Sequence, residues 1–159
     1  PIHRGGGIWQ PELDAIIEKL RAGDWVHYFP EGKIRQDSRI HPFRRGVGRL
    51  VASVREPERI QVLPFYHEGC DKLQPTTKAS TSVLSKPKLG SEINVIFGQP
   101  VQLSHLLALR DEPPFDQRPD LLYEVIAHTL EEEVRDLRSE LHRRLGRKPH
   151  LPPEGGDFS

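Results

Sequence analysis

The feature that most constrains the fold is a long amphipathic segment over residues 120–145. Apolar side chains recur along it at helical spacing, at Leu122, Ile126, Leu130, Val134, Leu137, Leu141 and Leu145. Two oppositely charged pairs four residues apart support the helix, Glu131 with Arg135 and Glu140 with Arg144. A single apolar stripe of this length favours a helix packed on a protein core over a membrane or partner helix.

Shorter segments upstream alternate between helical and strand patterns. Helices are predicted over 11–22, 43–55 and 103–109, and strands over 24–29, 60–66 and 92–97. The Ser-, Thr-, Lys- and Pro-rich residues 74–88 predict a flexible excursion, and residues 111–119 a proline-rich linker. This alternation predicts an α/β fold, with a mixed sheet flanked by helices and a long C-terminal helix.

Composition narrows the class of protein. The 159 residues suit one domain, and 23 basic against 23 acidic residues give no net charge that would draw the chain to nucleic acid. Cys70 is the sole cysteine, which excludes an intramolecular disulfide and a cysteine zinc site. The eight histidines lack metal-ligand spacing, so no metal site is predicted.

The sharpest chemical feature is the run Phe-Pro-Glu-Gly-Lys at residues 29–33, directly after a predicted strand. Glu31 is expected at the carboxyl end of that strand, where α/β proteins usually bind ligands. Gly32 is expected to leave its backbone N–H open to a ligand. Basic residues follow at Lys33, Arg35, Arg39, Arg44, Arg45 and Arg49, opposed by Asp37 alone. The pattern suits a phosphate, although a solvated turn with scattered surface charge has the same composition.

Two further segments are candidates for a site. Arg4 precedes three glycines, whose N–H groups could join its guanidinium on a phosphate, although a flexible loop is the simpler interpretation. The apolar residues 62–66 fit either a core strand or the wall of an acyl groove. A His-x-x-x-x-Asp pair, which would set a general base beside an orienting acid, does not occur. His67 and Asp71 come nearest, and His67 is expected to be a loop or packing residue.

Residues 23–33, Gly-Asp-Trp-Val-His-Tyr-Phe-Pro-Glu-Gly-Lys, strongly resemble the tafazzin family of phospholipid–lysophospholipid transacylases. That family belongs to the glycerol-3-phosphate/lysophosphatidate acyltransferase superfamily. Further blocks are similar in order and spacing, at residues 1–5, 45–50, 63–69 and 97–100. The resemblance covers residues 1–145.

The resemblance implies roles for individual residues. Substrate phosphate would be bound by Arg4, Glu31, Gly32 and Lys33. The acyl site would be lined by Leu63, Pro64 and Phe65. In the family, the general base is the histidine of a His-x-x-x-x-Asp motif that precedes the arginine block. Because that motif is not in this sequence, no catalytic residue is assigned. Residues 1–148 are expected to be the C-terminal part of an acyltransferase domain, followed by a disordered tail at 149–159. This fragment is expected to be inactive on its own.

The family also implies substrates and a location. Acyl chains would move between phospholipids and lysophospholipids, as in cardiolipin remodelling, with no cofactor. The protein would bind peripherally to mitochondrial membranes on the intermembrane-space face, and would not bind nucleic acid. Two alternatives stay open: an acyl-CoA-dependent 1-acylglycerol-3-phosphate acyltransferase, and a non-catalytic module that binds anionic membranes through the basic residues of 33–49.

Overall fold

The computed structural model describes residues 6–33, 35, 37, 39–56, 59–73 and 90–147. The helices within these ranges are α1 (Pro11–Arg21), α2 (Arg45–Ala52), α3 (Cys70–Leu73), α4 (Ser104–Ala108) and α5 (Pro119–Arg144). The strands β1 (Phe65–Glu68) and β2 (Asn94–Phe97) form an antiparallel pair. The predicted α/β class is confirmed, as is the long C-terminal helix. The predicted excursion over 74–88 and the predicted tail at 149–159 lie outside the described residues.

Helix α5 is the centre of the core, as its apolar stripe predicts. Its residue Ile126 is fully buried and Leu122 is 1% exposed. They pack in a cluster with Val51, Ala52, Leu103, Leu107 and Leu130. Leu145 is 37% exposed because the helix has already ended at Arg144. Both predicted ion pairs form, with Glu131–Arg135 and Glu140–Arg144 each at 2.7 Å between N and O atoms.

Two glycines of α2 lie at close contacts, Gly48 with α5 and Gly46 with Tyr28. In isolation each glycine weakens a helix by about 1 kcal/mol relative to alanine. A Cβ added to Gly48, however, would lie 2.0 Å from the carbonyl oxygen of Tyr123 on α5. A Cβ on Gly46 would lie 2.8 Å from the hydroxyl oxygen of Tyr28. Glycine at position 48 therefore allows the backbones of the two helices to meet.

Helix α1 forms as predicted and ends at a glycine. Gly23 takes the left-handed φ of 88°. Its N–H donates to the carbonyl of Leu20, and the N–H of Asp24 donates to the carbonyl of Lys19. This pair of bonds is the Schellman motif, which reverses the chain after a helix.

The strand predicted over residues 24–29 does not form. Burial alternates from Trp25, which is exposed, to Phe29, with the period expected of an extended chain. A strand also needs a hydrogen-bonded neighbour, and no ladder bond joins residues 25–28 to another described segment. The prediction was therefore right about side-chain alternation and wrong about pairing.

The other two predicted strands form with different bounds, since β1 starts later and ends later than predicted and β2 is two residues shorter. Strand β1 begins at Phe65 rather than at residue 60, because Pro64 has no N–H for a ladder. The carbonyls of Val62 and Pro64 still accept the N–H groups of Val101 and Gly98, each at 2.9 Å. Phe65 pairs with Phe97. One face of the sheet packs toward α5, and the other bears exposed side chains.

Candidate functional site

The Phe-Pro-Glu-Gly run forms a tight turn. The N–H of Gly32 donates to the carbonyl of Phe29 at 3.3 Å, and Gly32 has a φ of 70°. A residue with a Cβ is strained at that φ, which accounts for glycine here. The expectation that this N–H would be open to a ligand is therefore wrong, because the turn itself uses it.

Glu31 is half-buried beside the turn and has a partner within the protein. Its Oε2 accepts the backbone N–H of His41 at 3.3 Å, which brings the returning loop against the turn. The His41 ring bonds Asp37, with 2.7 Å between Nε2 and Oδ2. Desolvation raises the pKa of Asp37, but the bonds from His41 and from the Arg39 N–H outweigh it and hold that pKa below its usual value.

Helix α5 fixes the end of the same loop. Oε2 of Glu131 accepts the N–H of Phe43 at 3.0 Å, and Nη2 of Arg135 donates to the carbonyl of Ile40 at 3.2 Å. The partners are 88 and 95 residues apart in sequence, so no local pattern could have indicated these contacts. The helix predicted for packing thus also positions the segment after the turn.

The predicted basic patch is smaller than the sequence suggests. Arg49 is only 9% exposed, donates to Asp14 and to the carbonyl of Ile8, and lies 4.7 Å over the ring of Trp9. Arg45 pairs with Asp120 at 3.4 Å. Neither is available to a phosphate at the turn, so their inclusion in the patch was wrong.

The structure describes only some of the remaining residues that were predicted to bind phosphate. Lys33 is exposed and makes no ion pair with another described residue. Arg4 lies outside the described residues. Arg44, which was predicted only as one member of the basic run, donates its backbone N–H to the carbonyl of Pro30 at 2.8 Å and so lies beside the turn.

The predicted acyl-site wall lies next to the turn. Pro64 is buried, Phe65 is half-buried and Leu63 is 52% exposed. The rings of Phe29 and Phe65 are 6.5 Å apart between centroids. The structure therefore brings the turn and the apolar segment into contact.

Aromatic and imidazole rings extend this contact into a surface that we call the aromatic face. It comprises Trp25, His27, Phe29, Phe65, His67 and Phe97. Neighbouring rings lie between 4.6 Å and 6.5 Å apart. Three of the rings are largely exposed, namely Trp25 at 85%, Phe29 at 62% and Phe97 at 64%.

The sequence contained a signal for this face that was not used. Aromatic or imidazole residues alternate at positions 25, 27 and 29, and again at 65 and 67, which puts each set on one side of an extended segment. His67 was expected to be a loop or packing residue. It lies within β1 rather than in a loop, and it packs by stacking on Phe65 at 5.9 Å.

The opposite side of β1 is tied to α5 by charge. Oε2 of Glu68 lies 2.9 Å from Nε2 of His142, and the other carboxylate oxygen contacts the guanidinium of Arg147. Desolvation raises the pKa of Glu68, but bonds and charges from His142 and Arg147 outweigh it and hold that pKa below the ordinary 4.5. This cluster holds the strand that carries Phe65.

We expect the Glu68 cluster to make stability depend on pH in acid. A carboxyl group whose pKa is lower in the folded state stabilises the protein above its unfolded pKa, and this stabilisation is lost as the pH falls through the folded pKa. Glu68→Gln should therefore lower the free energy of unfolding at pH 7, and the difference from wild type should shrink as the pH falls below 4.5. Urea unfolding over this pH range measures it.

Glu133→Gln is the matched control for this measurement. Glu133 is exposed on α5 and makes no ion pair with any described residue. Its replacement should leave the stability curve unchanged. A Glu68→Gln curve that runs parallel to wild type across the acid range would contradict the assigned role of the cluster.

Comparisons with known proteins identify relatives of the chain. Residues 1–68 match the Acyltransferase family. The chain is 34% identical to Tafazzin of Drosophila melanogaster over 149 residues, 90% of this chain and 36% of that protein. It is 32% identical to Taffazin of Dictyostelium discoideum over 109 residues, 67% of this chain and 36% of that protein.

A third relative has a different name. The chain is 35% identical to N-acylphosphatidylethanolamine synthase of Arabidopsis thaliana over 105 residues, 64% of this chain and 36% of that protein. No solved structure matches the chain. The chain spans 36% of the length of each of these three relatives. Residues 1–68 thus belong to the Acyltransferase family, and tafazzins are among the relatives of the chain.

Proposed function

We propose that the intact protein is a phospholipid acyltransferase that moves acyl chains between phospholipids and lysophospholipids. The observation that carries the proposal is the contact between the turn at residues 29–32 and the apolar wall, through Phe29 and Phe65. A polar turn bordered by cations suits the phosphate end of a lipid, and the adjoining apolar residues suit its acyl chain. The similarity to tafazzins supports the same assignment.

In this proposal the residues of the chain bind and orient the substrate. Lys33 and Arg4 hold the phosphate, while Glu31 and Gly32 fix the shape of the turn that presents Lys33. The wall formed by Leu63, Pro64 and Phe65 would lie along the acyl chain. The hydroxyl of the lysophospholipid attacks the ester carbonyl of the donor, and its proton passes to the histidine of the family's His-x-x-x-x-Asp motif, which residues 1–159 do not contain. The acyl C–O bond of the donor then breaks, and the freed oxygen takes that proton, so the donor leaves as a lysophospholipid.

The choice of acyl donor tests this function. The full-length protein should transfer acyl chains from a phospholipid to a lysophospholipid without acyl-CoA, as followed with a labelled donor chain. Residues 1–159 alone serve as the control and should show negligible turnover, because positioned phosphate contacts cannot remove a proton. Strict dependence on acyl-CoA would favour a 1-acylglycerol-3-phosphate acyltransferase. Binding to anionic vesicles without any transfer would favour a non-catalytic module.

We further propose that the protein works at the surface of a mitochondrial membrane, on the intermembrane-space side. The aromatic face supports this proposal, because exposed aromatic rings are enriched where proteins meet the membrane–water interface. Across the part of the chain that the structure describes, no helix combines the length and apolar character needed to cross a bilayer.

The two tryptophans allow the membrane contact to be tested. Trp25 is on the aromatic face, whereas Trp9 is 63% exposed but is not part of that face and packs against Arg49 and Tyr123. We expect vesicles of phosphatidylcholine and cardiolipin to shift the fluorescence of Trp25 to shorter wavelength in a Trp9→Phe variant, since its ring would enter the interface. Brominated phospholipids should quench that signal.

Trp25→Phe, which leaves only Trp9, is the control and should respond to neither treatment. Equal responses of both tryptophans would indicate a general conformational change. No response from Trp25 would show that the aromatic face does not contact the membrane. The membrane contact would then have to be made by another surface of the protein.

A further inference from the structure

Arg44 lies directly over the turn that carries the predicted phosphate residues. Its Cγ is 3.4 Å, and its Nε 3.9 Å, from the point that a Cβ on Gly32 would occupy. Its backbone N–H bonds the carbonyl of Pro30 at 2.8 Å. The Arg44 side chain therefore runs alongside Gly32, within contact distance of the turn.

The guanidinium of Arg44 has no anionic partner among the described residues. The neighbouring carboxylate of Glu31 makes no ion pair with it and instead accepts the N–H of His41. Arg44 is exposed, so its donors face solvent in this structure. Lys33 adds a second positive charge one residue after Gly32 and is likewise without an ion pair within the described ranges.

Arg45 next to it provides a direct contrast. Arg45 is also exposed, yet its guanidinium pairs with Asp120 on α5 at 3.4 Å. The two adjacent arginines thus differ: Arg45 shares the carboxylate of Asp120 with Arg118, whereas Arg44 lies over the turn without an ion pair among the described residues. A planar guanidinium with several N–H donors binds phosphate oxygens in pairs, which an ammonium group cannot do.

We propose that Arg44 is a further phosphate-binding residue, whose guanidinium holds the headgroup phosphate of the lipid substrate together with Lys33. This inference rests on the proposed function and adds a residue to its binding site. A Cβ at position 32 would be in ordinary contact with the Arg44 side chain, so glycine is required there by its positive φ.

Binding of a short-chain lysophospholipid below its micelle concentration tests the proposal in the full-length protein. Arg44→Ala should weaken binding about 10- to 100-fold, the range for one lost charge-assisted contact. Arg44→Lys should fall between that variant and wild type, because it keeps the charge but loses the fork. Arg45→Ala should stay within about twofold of wild type, since its charge is already paired.

A monoacylglycerol of the same chain length, which lacks phosphate, provides the specific readout. Its binding should be the same in wild type and Arg44→Ala. Equal losses for Arg44→Ala and Arg45→Ala, or an equal loss for the neutral lipid, would overturn the assignment. Binding of inorganic phosphate that the lysophospholipid does not displace would assign the site to free phosphate and overturn the assignment too.

The inference and the proposed function can fail separately. If the full-length protein transfers no acyl chain but the contrast between Arg44 and Arg45 persists in binding, the function fails and the phosphate site stands. If acyl transfer proceeds and its KM for lysophospholipid is unchanged by Arg44→Ala, the phosphate site fails and the function stands.

Discussion

Replacing Gly48 with alanine is expected to destabilise the protein by about 3 kcal/mol, at the upper end of the cost of overpacking a core. The new Cβ would lie 2.0 Å from the carbonyl oxygen of Tyr123, whereas carbon and oxygen atoms normally approach to about 3.3 Å. The obstacle is backbone, so α2 and α5 must separate, and the cluster around Leu122 and Ile126 loses contact. Chemical denaturation measures the loss.

Gly46→Ala is the matched control, because it changes the same residue type in the same helix. Its Cβ would meet the Tyr28 hydroxyl at 2.8 Å, which is the tip of a side chain that can move. Alanine also favours a helix over glycine by about 1 kcal/mol. We expect the two effects to leave stability within about 1 kcal/mol of wild type. Equal stability of the Gly48 and Gly46 variants would show that the helices adjust at no cost, contrary to the close approach described.

The largest effect on activity is expected at Glu31. Glu31→Ala removes the acceptor for the His41 N–H and lets the loop move away from the turn. A displacement of about 1 Å in a substrate-positioning segment can lower turnover about 100-fold, so we expect a loss of this size in the full-length protein. Glu31→Gln keeps an acceptor oxygen at the same place and should retain clearly more activity than the alanine variant.

Acyl-transfer kinetics with purified full-length variants measure this effect. Thermal unfolding should stay close to that of wild type, because one half-buried hydrogen bond contributes only about 1 kcal/mol. Glu133→Ala, which removes a remote exposed carboxylate, should have normal kinetics. Full activity of Glu31→Ala would remove the assigned role. An equal loss in Glu31→Gln would move the role from holding the loop to the negative charge itself.

Local patterns were sufficient for the helices. The stripe from Leu122 to Leu141 and the glycine after Arg21 both act within a few turns of one helix, so the sequence alone predicted α5 and the end of α1. The pairing of residues 24–29 could not be predicted in this way. Side-chain alternation reports burial on one side, whereas a strand also requires a partner chosen by the rest of the fold.

In the candidate site too, local features could be predicted from the sequence and long-range contacts could not. The run at residues 29–33 identified the turn and Lys33, because a Pro-Glu-Gly sequence favours a turn wherever it occurs. Which arginines accompany it could not be read from the same stretch. Arg45 and Arg49 are neutralised by Asp120 and Asp14, residues that are close only after folding. Arg44 was indistinguishable from them in sequence.

The contacts of α5 with the loop have a consequence for how this protein can vary. Glu131 and Arg135 hydrogen-bond the loop that follows the turn, and the opposite side of their helix packs in the core. The position of the core helix and the position of the binding loop are therefore coupled. A substitution that rolls or slides α5 to accommodate a different core residue will carry the backbone at Ile40 and Phe43 with it. Divergence of the interior is thus limited by the shape of the loop as well as by packing.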